Sequence, residues 1–164
     1  VILPGVGAFK DGMDGLEKRG LTKVVKQVAQ SGVPFLGICL GMQLFFEESE
    51  EQGLHRGLEL LPGRVLEFTD PGIKVPQIGW NQLQIADAEF PLLKDIPAGA
   101  YVYFNHSYYC QPNESGHVMA STDYGSSFAS VVSKGNIHGV QFHPEKSQKV
   151  GLQILKNFVE MENE

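Results

Sequence analysis

Val33-Pro34-Phe35-Leu36-Gly37-Ile38-Cys39-Leu40-Gly41 is an apolar run that ends in a glycine-flanked cysteine. A short run of this kind, bounded by turn signals, reads as a strand buried on both faces. Working outward, Val1-Ile2-Leu3 before Pro4-Gly5 is a second short buried strand. Between them, Leu16 to Gln30 sets Leu21, Val24, Val25 and Val28 on one helical face, closed by Ser31-Gly32. Beyond Cys39, the stretch Gly41–Glu51 reads as a second helix that ends in an acidic run. Alternating strands and helices predict a parallel sheet with helices packed on its faces.

From Gly57 the texture changes to short strand-like runs, Val65–Phe68, Gly79–Ile85, Ala100–Tyr109, Val118–Ser121, Ala129–Ser133 and Ile137–Phe142. Gly, Pro, Asn and Asp separate them, as hairpins require. A last helix is expected over Ser147–Glu160, with Val150, Ile154, Leu155 and Phe158 on one face. The fold expected is α/β, a central, mostly parallel sheet flanked by helices with added antiparallel hairpins. Residues 1–164 form a single domain in this reading. Because the chain opens inside a strand, an N-terminal strand–helix–strand is expected to precede it, and residues 1–164 alone are expected to be only marginally folded.

The chain has 164 residues, 42% hydrophobic and 20% charged, with 13 Lys and Arg against 19 Asp and Glu for a net charge of −6. Such an acidic balance argues against nucleic-acid binding. No apolar stretch is long enough to span a bilayer and no signal peptide opens the chain, so membrane and secretory roles have no support. Two cysteines, Cys39 and Cys110, make no disulfide framework, and a cytoplasmic setting is expected. No metal-ligand spacing occurs, so neither metal nor cofactor is expected.

Gly37-Ile38-Cys39-Leu40-Gly41 has the form G-x-C-x-G, the thiol counterpart of the nucleophile elbow. Its glycines let backbone pass where a Cβ would clash, and the turn lifts Cys39 to a helix N-terminus, whose dipole favours thiolate. The plainer alternative is a buried cysteine in a glycine-rich turn. His143-Pro144-Glu145 follows the last predicted strand and offers a base with a carboxylate to orient it. Taken by itself it could equally be a helix-initiating loop. Pro4-Gly5-Val6-Gly7 could aim N–H groups at an oxyanion beside the N–H of Leu40.

These residues together resemble the class I (triad) glutamine amidotransferases. The stretches that carry the resemblance are Pro34 to Gln43, Leu3 to Phe9, Phe45 to Glu51, Pro76 to Asn81 and Phe142 to Ser147, and it spans nearly the whole chain. It implies a glutaminase in which Cys39 attacks the side-chain amide of L-glutamine to form a γ-glutamyl thioester. His143 then moves protons and Glu145 orients it. The resemblance also implies an oxyanion hole from Leu40, Val6 and Gly7, turned away from that role in many members until the partner subunit is occupied. Gln43, Glu51, Ser107 and Tyr108 would bind substrate. The branch most similar to this chain serves histidine biosynthesis and passes ammonia to a (β/α)8-barrel cyclase subunit in a heterodimer. That surface would include Trp80, Asn81, Tyr103 and Lys146, with Asn105 and His106 close by. A glutaminase for another synthase, or a free-standing γ-glutamyl cysteine hydrolase, is the alternative. His55, His117 and His138 read as scaffold, and Cys110 as a small buried hydrophobe.

Overall fold

The computed structural model describes residues 1–161. Strand β1 (Ile2–Gly5) leads through helices α1 (Phe9–Lys18) and α2 (Leu21–Gln30) to β2 (Phe35–Cys39). The single helix expected here is broken by Gly20, which sits at φ 66°, a left-handed value that glycine adopts without strain. After β2 come α3 (Leu40–Gln43), β3 (Phe46–Ser49), β4 (His55–Arg56) and β5 (Leu61–Glu67). Strands β6 (Gln77–Gln82), β7 (Gln84–Ile85), β8 (Tyr101–His106), β9 (Tyr108–Pro112), β10 (Val118–Tyr124), β11 (Ser126–Lys134) and β12 (Ile137–Val140) follow, and α4 (Gln148–Glu160) ends the described chain.

The expected helix over 41–51 is corrected to a four-residue turn of helix and a strand. Leu44, Phe45 and Phe46 are all buried, a burden that one helical stripe cannot carry. β3 instead pairs parallel with β5, and its acidic run finds partners there. Arg64 of β5 lies 4.0 Å from Glu48 and 3.6 Å from Glu50, and the Glu47 carboxylate accepts the Gly63 N–H at 2.9 Å.

The main sheet runs β1-β2-β12-β11-β9-β5-β3-β4, with β10 and β7 continuing from β11, and β6 pairs with β8 in a separate ribbon. Parallel pairing is confined to β1-β2-β12 and β3-β5; the other pairs are antiparallel, as hairpins in β10–β11 and β11–β12 and across intervening strands in β5–β9 and β6–β8. Alternate residues feed two cores, one on each face. Phe35, Val132 and Ile137 join Phe9, Leu16, Phe45 and Leu61 beneath α1 and α2. Leu36, Val131 and Val140 join Phe104, Phe142, Ile154 and Phe158 beneath α4. This period of two explains why all five residues of β2 are buried.

Register then decides where chemistry can gather. Gly5 of β1 lies beside Cys39 of β2, and Val140 of β12 lies beside Ile38. The carboxyl ends of three adjacent parallel strands therefore release Val6-Gly7, Leu40 and Gln141-Phe142-His143 at one edge. That is where ligands bind in open α/β sheets. Among the described residues no helix is long and apolar enough to cross a membrane.

Candidate active site

Cys39 sits at φ 53° and ψ −110°, a strained conformation that only close packing holds for a residue with a side chain. Its flanking glycines are required by contact. A Cβ on Gly41 would lie 1.8 Å from the Leu3 carbonyl oxygen, and one on Gly37 would lie 2.6 Å from the Phe45 ring. The elbow read from the sequence is present, and Cys39 with Leu40 lines a cavity of about 240 Å³.

At Cys39 burial works against the thiolate that a helix N-terminus favours. Burial is the largest influence and pushes its pKa up to about 11, against a smaller opposite effect of the Leu40 backbone N–H. α3 has four residues, too few for a developed macrodipole. A thiol that burial keeps protonated needs a base beside it to take its proton. The acceptor is at hand: His143 lines the same cavity, and its Nδ1 is 2.8 Å from Glu145 Oε1. With Nδ1–H held by that carboxylate, Nε2 is the ring's basic nitrogen.

The turn that carries His143 is bolted to β8. The His143 N–H donates to the Tyr103 carbonyl at 2.9 Å. Ser147 Oγ donates to the His143 carbonyl at 2.7 Å and accepts the Tyr103 N–H at 2.9 Å. Ser147, which the sequence places only at the end of the motif and the start of the last helix, is thus a positioning residue.

Val6 and Gly7 line the same cavity as Cys39; Val6 is exposed and Gly7 has φ +106°. Gln43, Glu51, Ser107 and Tyr108 line it as well. Gln43 gives its amide protons to the Tyr108 carbonyl at 3.0 Å and to Gln141 Oε1 at 3.1 Å. It can therefore only accept from a ligand. The Tyr108 carbonyl also takes His106 Nδ1 at 2.8 Å, so its two lone pairs are in use. Glu51 lies after β3 rather than on an acidic helix, and its carboxylate accepts the Phe9 N–H at 2.7 Å, capping α1 from a distance. Pro76 and Asn105 line the cavity too, Pro76 without having been singled out in the sequence.

Of the four expected partner-facing residues, three form one patch. Trp80 meets Tyr103 edge-on with ring centroids 5.9 Å apart, and Lys146 Nζ lies 5.9 Å above the Tyr103 ring. Asn81 is used internally, donating to the Asp123 carbonyl at 2.9 Å and accepting the Gln82 N–H at 2.8 Å.

His106 lines the cavity but is buried, with Gln77 2.8 Å from its Nε2. His138 is buried outside the cavity against Ser133 Oγ at 2.9 Å. Burial lowers both from the usual 6.5 to about 4. Between pH 6.5 and 4 the unfolded chain binds protons that the folded chain refuses. Stability is thus complete above pH 6.5 and is lost as pH falls toward 4, by roughly 3 kcal/mol per histidine at most. Urea unfolding at pH 7 and 4.5 checks this, and His138→Gln should flatten the dependence.

A model of the class-I glutamine amidotransferase family matches residues 1–161, and the chain belongs to that family. It is 52% identical over 165 residues to the imidazole glycerol phosphate synthase subunit HisH of Moorella thermoacetica, covering 98% of this chain and 76% of the relative. It is 49% identical over 169 residues to the same subunit of Syntrophotalea carbinolica, covering 98% and 81%. Among solved structures, PurLQS from Thermotoga maritima superposes with a TM-score of 0.70 at 17% identity, covering 96% of this chain and 78% of that one. At that identity the likeness concerns the fold alone.

Proposed function

We propose that the chain is the glutaminase subunit of an imidazole glycerol phosphate synthase. The observation that carries this reading is half-identity to such subunits along nearly the whole chain, with Cys39 on its elbow and His143, paired to Glu145, lining one cavity.

The amide carbonyl of glutamine enters beside Cys39. Sγ attacks the carbonyl carbon as its proton passes to His143 Nε2, and the resulting oxyanion takes N–H bonds from Leu40 and from the Val6-Gly7 segment. The tetrahedral species collapses by breaking the C–N bond, with His143 returning the proton to the departing ammonia. A γ-glutamyl thioester is left. Water, deprotonated by His143, attacks the thioester; glutamate leaves and Sγ regains a proton. Glu145 keeps His143 in the working tautomer throughout. Gln43 accepts from the substrate's α-ammonium group, and Glu51 adds negative charge on the same side.

Ammonia then passes to a (β/α)8-barrel cyclase subunit in a cytoplasmic heterodimer. There it is joined to a ribonucleotide, giving imidazole glycerol phosphate and an aminoimidazole carboxamide ribonucleotide. The Trp80–Tyr103–Lys146 patch is the docking rim, since Tyr103 also holds the His143 turn through Ser147. The test is ammonia release from glutamine by the chain alone, with the cyclase barrel, and with barrel plus its ribonucleotide. A rise of about tenfold or more in the full mixture is expected. Equal release in all three would favour a free-standing hydrolase.

A further inference from the structure

Two primary amides lie buried beneath the cavity, Gln43 and Gln141. Buried amides are costly unless every hydrogen finds an acceptor, so their bonding can be followed atom by atom. The Tyr108 carbonyl can only accept, which fixes Gln43 with Nε2 toward it at 3.0 Å. The second Nε2 proton of Gln43 points at Gln141, 3.1 Å away, and Gln141 must answer with Oε1. The opposite orientation of Gln141 would set two donors face to face. Its Nε2 is thereby turned to Cys39 Sγ, at 3.6 Å. The Gln141 backbone N–H is itself tied to the Ser130 carbonyl at 3.0 Å, so this side chain is held at both ends.

On its other side the sulfur has the Asn105 carbonyl at 3.9 Å, an acceptor that suits a thiol S–H. Gln141 suits the reverse state. A hydrogen bond from a fixed N–H to sulfur strengthens when the sulfur carries negative charge. In a site where burial opposes ionisation, such a donor acts on the species that attacks.

We propose that Gln141, anchored by Gln43, is a donor to the Cys39 sulfur that orients the nucleophile and stabilises its thiolate. The inference deepens the glutaminase reading and rests on Cys39 being the nucleophile. Other groups face the sulfur. Glu145 opposes ionisation from the turn after β12, and Lys146 on the same turn favours it. His143 and Glu51 line the cavity, His106 comes from β8, and the buried Cys110 comes from β9. Each of these groups is retained when Gln141 is replaced, so a shift in thiol titration is assigned to the lost donor.

The experiment follows iodoacetamide alkylation of Cys39 against pH in the full chain, read by mass spectrometry of the Cys39 peptide so that Cys110 does not interfere. Gln141→Met removes the donor at similar length, and Gln141→Glu keeps the shape but brings a carboxylate. Gln43→Met removes the anchor and, with it, an acceptor for substrate, so it is read by alkylation alone. Melting curves establish which variants are folded. The midpoint of alkylation should rise by about half a pH unit or more in Gln141→Met, the size expected for one hydrogen bond to a charged atom. The rise should be larger in Gln141→Glu and smaller in Gln43→Met. In glutamine turnover, kcat should fall by about fivefold or more in Gln141→Met while KM changes by less than about threefold. Midpoints that coincide with the parent in every folded variant would overturn the proposal, because a merely space-filling amide would alter melting without moving the titration. Alkylation needs no glutamine. Absence of ammonia release by the parent would therefore count against the glutaminase reading and leave the Gln141 test readable.

Discussion

Cys39→Ala should release ammonia from glutamine at least about 10⁴-fold more slowly than the parent when both are assayed with the cyclase subunit and its ribonucleotide. It should melt within a few degrees of the parent. The two halves of this expectation have separate causes. Every covalent step runs through Sγ, so no remaining group can form the thioester. The backbone strain at φ 53°, in contrast, belongs to the Cα of Cys39 and is carried equally by alanine. The sulfur's bonds are long, 3.6 Å to Gln141 and 3.9 Å to Asn105, so little stability leaves with it. Cys110→Ala is the matching control. That thiol is buried in the core beneath α1 and α2, so its removal should lower the melting temperature and leave ammonia release intact. Substantial turnover by Cys39→Ala would remove the nucleophile assignment altogether.

What could be read from the chain before its structure depends on sequence distance. The elbow is local: an apolar run, two glycines and a cysteine within five positions specify a strand, a sharp turn and a sulfur set at the end of the strand. His143 and Glu145 are two positions apart, so their pairing was legible too. Gln141 stands beside them in the same motif and was passed over. Its function depends on Gln43, 98 positions away, and on Cys39, 102 positions away. The same holds for Ser147, whose partner Tyr103 is 44 positions distant, and for Glu51, which caps a helix 42 positions before it. The expected helix over 41–51 failed for a related reason. Its acidic residues have good helix propensity, but pairing with β5 and burial of Phe45 and Phe46 outweigh a preference of a few tenths of a kcal/mol per residue. At Cys39 the sequence discloses the backbone N–H that favours thiolate but not the burial that opposes it more strongly.

Gly41→Ala should cost more than about 4 kcal/mol of stability, enough to lower the melting temperature by about 10 °C or to prevent soluble expression. The cause is a collision with backbone rather than with a movable side chain. The new Cβ would sit 1.8 Å from the Leu3 carbonyl oxygen and 2.8 Å from its carbonyl carbon. Leu3 is paired to Gly37 in the β1–β2 ladder, so relief requires shifting β1 as a whole. That shift would also carry Val6 and Gly7 away from Cys39, so any folded fraction should be a poor glutaminase. Gly15→Ala in α1 provides the contrast. There the nearest atom to the new Cβ is the mobile guanidinium of Arg19, 3.3 Å away, and the backbone is already helical. Replacing that glycine should stabilise the chain by about 0.5–1 kcal/mol by restricting the unfolded state. Thermal melts followed by circular dichroism compare the two directly. Equal and small effects at both sites would mean that β1 does not pack against the elbow as closely as 1.8 Å implies, and the oxyanion role of Val6-Gly7 would lose its structural basis.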